Sequence, residues 1–369
     1  MARIGLYLAG GGARGAYQAG VLKALYDILQ LKKLPFTMIT GTSVGSLNAA
    51  ILAEYTDDFA VAVEKLEALW RQISCDQIFK THNYDVGKSL LRNMSGFFLK
   101  NPQPGYLLDT TPLHKFIDDK IDFNLIKSKM GHFDLEIMEV ISHCYDTQQT
   151  VSFLQHNLPD AEDWFYARHI SQHTDLNQSH LLASTALPLF FPVVKINQYH
   201  YGDGGMGFIS PLRGATRFQM DKILILGSRQ PPSLIEPMEG QSSNIGMAQI
   251  LGNMLSGLFL DNLDRDIEMV SRMNDVARLL SLWKKRNAPW RPIEIMHLRP
   301  SQNVADIAQS DYQTMPTLLR MMLNMLGAQS HSGELLSFLL FEKEFTHRLI
   351  ELGYQDTLAN STAILNFFE

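Results

Sequence analysis

Short apolar runs alternate with longer stretches of helical spacing through the first fifty residues. Residues 3–8 (RIGLYL) end at once in glycines, which predicts a buried strand. GAYQAGVLKALYDIL follows, and its Val21, Leu22, Leu25, Ile28 and Leu29 share one helical face. A second strand is expected at 36–40 (FTMIT), running through GTSVG into SLNAAILAEY, which is apolar or small nearly all round, as a central helix should be. Strand, loop, helix, strand, turn, helix is the start of an α/β fold with parallel strands. Phe59, Val63, Leu66, Trp70 and Ile73 mark another amphipathic helix, whereas 75–133 lack a clear period and read as an irregular excursion over one face of the sheet. DLEIMEVISHCY and QTVSFL, separated by a turn around Asp146, add two strands; KILILG at 222–227 and IEIMHLRP at 293–300 bring the total to six. A long helical stretch from about Ile245 to Lys285 precedes the last of them. The sheet is therefore expected to continue to about residue 300, making 1–305 one α/β domain. Residues 313–352 read as helices laid on the outside, within a helical extension over 306–369.

Composition narrows the class. At 46% hydrophobic and 19% charged, the 369 residues have material for a core and do not resemble a disordered chain. A formal charge of −6 provides no basic field for nucleic acid. Cys75 and Cys144 are too few for a disulfide framework and are expected as reduced, buried thiols. The opening MARIGLYLAGGGARG lacks the apolar core and cleavage site of a signal peptide. Residues 241–260 are long enough to span a bilayer, yet Gln241, Asn244, Gln249 and Asn253 interrupt them, so a buried or amphipathic helix is expected. Residues 181–194 are short and broken by Pro188 and Pro192. The expectation is a cytoplasmic protein without a membrane span.

Three motifs carry chemistry. GTSVG at 41–45 centres on Ser43 between a strand and a helix, where a sharp turn would hold its hydroxyl exposed. Gly41 and Gly45 let strand and helix approach closely there, and the helix N-terminus favours developing negative charge. GGGARG at 10–15 opens the first helix, and consecutive glycines let backbone N–H groups converge on an anion. Gly11 and Gly12 are natural oxyanion donors for a tetrahedral intermediate at Ser43, each contributing about 2.7–4 kcal/mol; Arg14 would add charge or fix the loop. Gly10, Gly12 and Gly15 also satisfy a dinucleotide fingerprint, but the second strand ends in Thr40-Gly41-Thr42-Ser43 without the carboxylate that binds ribose. DGG at 203–205 follows the extended segment KINQYHYG, which puts Asp203 at a strand tip with Gly204 and Gly205 keeping the backbone open. Ser210 and Pro211 read as an N-cap and first helical position.

The ordered set GGGARG, GTSVG, STALPLFFPV and DGGMGFISPLRGA resembles the patatin-like phospholipase family over roughly residues 3–230. The resemblance implies a three-layer α/β/α fold with a mainly parallel central sheet and extra C-terminal helices. It implies Ser43 as nucleophile, Asp203 as its partner in a dyad, and the loop Gly10, Gly11, Gly12, Ala13, Arg14 and Gly15 as oxyanion hole. The implied activity is hydrolysis of lipid acyl esters, with phospholipid or lysophospholipid as substrate and no metal or other cofactor. A thioesterase or carboxylesterase on the same dyad is the alternative within enzymes, and a nucleotide-binding or interaction protein using the glycine loop is the alternative outside them. An ordinary carboxylate, with pKa near ~3.9, is a weak base and would have to work through direct contact in a dry pocket.

Twelve histidines leave a triad to consider: His200 lies three residues before Asp203, and His114, His132, His143 and His297 have equal claim. His169 and His173 have the spacing of a zinc helix, but Ile170 stands where the motif needs Glu. The Met-rich run 315–326 reads as a packed core helix more than as a lipid-facing surface. The basic and aromatic residues of 283–291 and the mixture at 88–100 are candidates for contact with a peripheral membrane surface. A homo-oligomer or an activator is compatible with the sequence, which identifies neither.

Overall fold

The computed structural model describes residues 2–81, 106–131, 135–207, 210–231, 246–259, 261–279, 290–325 and 332–369. The chain begins with β1 (Ile4–Leu8), α1 (Ala16–Leu29), β2 (Met38–Thr42), α2 (Val44–Glu54) and α3 (Phe59–Gln72). All five residues of β1 and of β2 are buried, which is why β1 shows no alternation of apolar and polar residues. α3 starts where the Asp58 carboxylate accepts the Val61 N–H at 3.1 Å, and it buries Phe59, Ala62, Val63, Leu66 and Trp70 along one stripe. Next come α4 (Thr111–Lys120), α5 (Phe123–Lys129), β3 (Ile137–Cys144), β4 (Gln149–His156), β5 (Phe165–Tyr166), β6 (His169–His173), α6 (Gln178–Ser184), β7 (Val194–Ile196) and β8 (Tyr199–Asp203). The remainder is α7 (Arg213–Arg217), β9 (Lys222–Leu226), α8 (Met247–Phe259), α9 (Asp261–Leu279), β10 (Glu294–Leu298), α10 (Val304–Ser310), α11 (Thr317–Met325), α12 (Gly333–Leu339), α13 (Lys343–Ala359) and α14 (Ser361–Phe368).

Among the described residues ten strands form one sheet, in which β10, β9, β1, β2 and β3 are parallel. β4 runs antiparallel to β3, and the β7–β8 hairpin joins the opposite edge of β3. Helices cover both faces: α1, α2, α3 and α13 share one apolar core, and α7 and α9 close the other. The architecture is α/β/α.

One register decides where the site forms. β2 pairs with β3 up to Thr42 opposite Ile141. β8 arrives from the other direction and ends with Asp203 opposite Ser142, the next residue of β3. The ends of β2 and β8 thus abut along a single edge of β3.

Several expectations change. The excursion over 75–133 contains a single helical turn at Cys75–Ile78 and the longer helices α4 and α5, with Leu113, Phe116, Ile117 and Ile126 buried; residues 82–105, and with them 88–100, lie outside the described residues. Ser210 does not cap the next helix: α7 begins at Arg213, and the Ser210 hydroxyl donates to Asp266 Oδ1 at 2.9 Å. Of the helical stretch expected from about 245 to 285, α8 and α9 are described, and residues 245, 260 and 280–289 lie outside the described residues. α12 and α13 pack on the α1 core through Leu335, Leu336, Phe338, Phe345 and Leu349, while α13 keeps Lys343, Glu344, His347, Arg348 and Glu351 exposed. In α11, Leu319, Met322 and Leu323 are buried and Met321 is exposed. Both cysteines are free and buried, and among the described residues no helix is long and apolar enough to cross a membrane.

Candidate active site

Ser43 sits at the carboxyl end of β2 with φ 54° and ψ −130°, a backbone conformation that a side chain rarely adopts. The turn holds because Gly45 passes the β1 backbone: a Cβ there would lie 2.1 Å from the Leu8 carbonyl oxygen. At Gly41 a Cβ would come within 2.5 Å of Ser46 Cα. The Ser43 N–H donates to Ser184 Oγ at 2.9 Å, and the Ser184 hydroxyl donates to the Ile141 carbonyl at 2.6 Å. Ser184 therefore ties the turn to β3.

The Ser43 hydroxyl donates to Asp203 Oδ2 at 2.6 Å. Asp203 is completely buried, and its other oxygen accepts the Gly205 N–H at 2.9 Å. Burial pushes its carboxyl up to about 7, against the pull of the Gly205 amide and the Ser43 hydroxyl. An acid titrating there, rather than in the ordinary carboxylate range, can receive a proton near neutral pH. Gly204 and Gly205 follow in a short turn, with Gly205 against the Phe259 ring.

The glycine loop passes beside the serine: a Cβ at Gly10 would lie 3.0 Å from Ser43 Cβ. Gly11 and Gly12 have φ of 146° and 58°, and Gly12 lines the same pocket as Ser43. Among the described residues nothing accepts from the Gly11 or Gly12 amides. Ala13 and Gly15 are buried in the turn that leads into α1, Gly15 against Trp70 and Val44. A buried polar chain pins the loop from below: Gln18 donates to Ala9 O at 2.8 Å, Asn48 donates to Gln18 Oε1 at 2.8 Å and Gly15 O at 3.2 Å, and Trp70 donates to Asn48 Oδ1 at 2.9 Å. Of the two roles open for Arg14, fixing the loop is the one its contacts describe. Its guanidinium pairs with Glu334 at 2.5 Å and donates to Ser337 Oγ at 2.8 Å.

In front of Ser43 lies an apolar slit walled by Leu69, Trp70, Leu113, Phe116, Leu187, Phe191, Phe338 and Phe341. Its free volume is about 30 Å³, room for only one or two waters, so any larger occupant must displace side chains. Trp70 stacks on Phe341 and Phe79 meets both Phe191 and Phe341 at the far end.

Among the described residues no histidine hydrogen-bonds Ser43 or Asp203. His200 faces Asp146 near the surface, and His132 lies outside the described residues. His169 and His173 lie on strand β6, not on a helix. Four residues of strand separate two side chains by about 13 Å, too far for one ion. His169 contacts Ser152 Oγ at 2.8 Å, and His173 stacks on His156. Among the described residues no group of three or more His, Cys, Asp or Glu could hold a metal. Residues that the sequence did not assign to the site are Ser184, Gln18 and Asn48, and the C-terminal Glu334, Phe338 and Phe341. Ser184 lay within a motif; the others carried no local signal.

Comparison with known proteins agrees with the motif order. A model of the patatin-like phospholipases matches residues 6–216, more than half of the chain. A patatin-like phospholipase domain-containing protein of Caenorhabditis elegans, ZK370.4, is 41% identical over 76 residues, 19% of this chain and 5% of that protein. Lysophospholipase nte1 of Aspergillus terreus is 33% identical over 97 residues, 25% of this chain and 6% of that one. The matched stretches are thus a small part of these much longer relatives. Among solved structures, VipD from Legionella pneumophila aligns over 98% of this chain and 67% of its own, with TM-score 0.39 and 13% identity. The family match runs from β1 through the glycine loop and Ser43 to α7 beyond Asp203, and on that span this protein belongs to the patatin-like phospholipases.

Proposed function

We propose that the chain is a serine acyl hydrolase that cleaves fatty-acyl esters of phospholipids or lysophospholipids. The observation that carries this reading is the buried 2.6 Å bond between Ser43 and Asp203 at the mouth of an apolar slit. In the proposed reaction Ser43 Oγ attacks the ester carbonyl while Asp203 Oδ2 takes its proton. The carbonyl oxygen becomes negative and is held by the Gly11 and Gly12 amides, with the N-terminus of α2 adding a favourable field. The tetrahedral intermediate collapses, the alcohol leaves with the proton from Asp203, and the acyl group stays on Ser43. Water then enters and gives a proton to Asp203 as its oxygen attacks the acyl carbonyl; the bond to Ser43 Oγ breaks, Asp203 returns the proton to Oγ, and the fatty acid leaves. The slit takes the acyl chain as its aromatic wall moves aside.

The same reading places a lipid surface next to α8. This helix has no charged residue from Met247 to Phe259. Met247, Ile250 and Met254 are exposed on one side, while Leu255 and Phe259 are buried on the other, with Phe259 packed against Gly205. Incubation with vesicles of diacyl phospholipid and with lysophospholipid, followed by mass spectrometry of the products, tests both points. Free fatty acid is expected from the wild type and none from Ser43→Ala. Met254→Asp is expected to reduce co-pelleting with vesicles several-fold without changing hydrolysis of a soluble short-chain ester. Release of fatty acid that survives Ser43→Ala would refute the hydrolase reading; hydrolysis confined to acyl thioesters would redirect it to a thioesterase.

A further inference from the structure

The glycine loop has little of its own to hold it in shape, because glycine backbones are free to move and their ordering must come from neighbours. Besides the Gln18, Asn48 and Trp70 network beneath it, the loop has neighbours from much later in the chain. Arg14, the loop's charged residue, is buried, with its side chain 2% exposed. Its Nη2 donates to Glu334 Oε2 at 2.5 Å, its Nε to Ser337 Oγ at 2.8 Å and its Nη1 to the Ser228 carbonyl at 3.3 Å, and the guanidinium lies 4.9 Å from the centre of the Phe338 ring. Ser228 donates in turn to Gly10 O at 2.6 Å. The Phe338 carbonyl of α12 fills the space beside Gly12, 2.1 Å from where a Cβ would stand. Glu334 is itself held by the Ser256 hydroxyl of α8 at 2.6 Å. The loop is therefore gripped at Gly10, Gly12 and Arg14, and the last two grips belong to a helix beyond residues 6–216, where the family match ends.

We infer that Glu334 is a positioning residue for the oxyanion loop, acting through Arg14 to keep the Gly11 and Gly12 amides aimed at the carbonyl attacked by Ser43. The inference rests on the proposed function. A buried guanidinium that loses its carboxylate is strongly unfavourable and moves toward water; here the loop moves with it. A displacement of about 1 Å at a reacting centre costs about 100-fold in rate. Glu334 and Arg14 do not themselves line the slit, so the loss should fall mainly on turnover.

The test measures kcat and KM on lysophospholipid for wild type, Glu334→Ala and Glu334→Gln, with active sites counted by fluorophosphonate titration. Glu334→Ala should lower kcat per titrated site about 100-fold with KM within about threefold. Glu334→Gln, which keeps an acceptor for Arg14 and Ser256, should recover part of the loss. If Glu334→Ala does not fold, Ser256→Ala, which leaves the ion pair in place, should still lower kcat per site several-fold. Fewer titratable sites with unchanged kcat per site, or a rise in KM alone, would overturn the inference and leave the hydrolase reading standing. A wild type that neither hydrolyses lipid nor takes the probe would sink that reading itself.

Discussion

Replacing Asp203 with Asn should lower kcat by about 10⁴-fold or more, the scale seen when one member of a nucleophile–base unit is lost, while making the protein more stable at pH 8. The two effects share one cause. Complete burial raises the Asp203 carboxyl from 3.8 to about 7, and that difference is worth at most ~4 kcal/mol. Because the folded value lies above the unfolded one, the contribution to stability is fully present below pH 3.8 and disappears as pH rises through about 7. At pH 8 the native state carries an ionised carboxylate away from water, and Asn removes that cost. Thermal unfolding should show a melting temperature a few degrees higher for Asp203→Asn at pH 8 and nearly equal values at pH 4. A variant as active as the wild type would show that another group takes the serine proton. An inactive variant that was also less stable at pH 8 would mean that the carboxylate supports the fold rather than straining it.

Replacing Gly12 with Ala should reduce kcat by about 10²–10³-fold, the loss associated with one oxyanion donor, with KM changed little. Gly12 has φ 58°, and an added Cβ would stand 2.1 Å from the Phe338 carbonyl oxygen. Backbone cannot yield there as a flexible side chain would, so either the loop rotates its amide away or α12 retreats. Both misalign the donors while Ser43 and Asp203 stay bonded. Steady-state kinetics on lysophospholipid decide the matter: kcat near the wild-type value would exclude Gly12 from the oxyanion site.

The parts of the site that were legible in the sequence are those where chemistry constrains a local backbone. Ser43 needs a turn so tight that Gly41 and Gly45 cannot bear a Cβ, and that requirement leaves a five-residue signature. The buried strands β1 and β9 showed themselves because both their faces are covered, giving nearly continuous apolar runs. What stayed hidden depends on long-range pairing. Nothing in KINQYHYG states that β8 will end opposite Ser142 and so meet the end of β2. Glu334, Phe338 and Phe341 lie about 300 residues from Ser43, and their spacing is that of any amphipathic helix; only packing against Gly12 and Trp70 gives them a place at the site. The weakness expected of an Asp base was an inference from the ordinary carboxylate range, and burial, which no motif spells out, moves it. His169 and His173, discounted as a zinc pair because Ile170 stands in place of Glu, show the converse, since the spacing of a zinc helix is equally available to a strand.

The most direct measurement is the rate at which a fluorophosphonate labels Ser43, followed by peptide mass spectrometry from pH 5 to 9 in wild type and Asp203→Asn. Labelling of Ser43 in the wild type should rise with pH about a midpoint near 7, as Asp203 ionises and becomes able to take the proton, and should be nearly abolished by Asp203→Asn at every pH. Labelling on another residue, or a rate and pH profile unchanged by Asp203→Asn, would contradict the dyad.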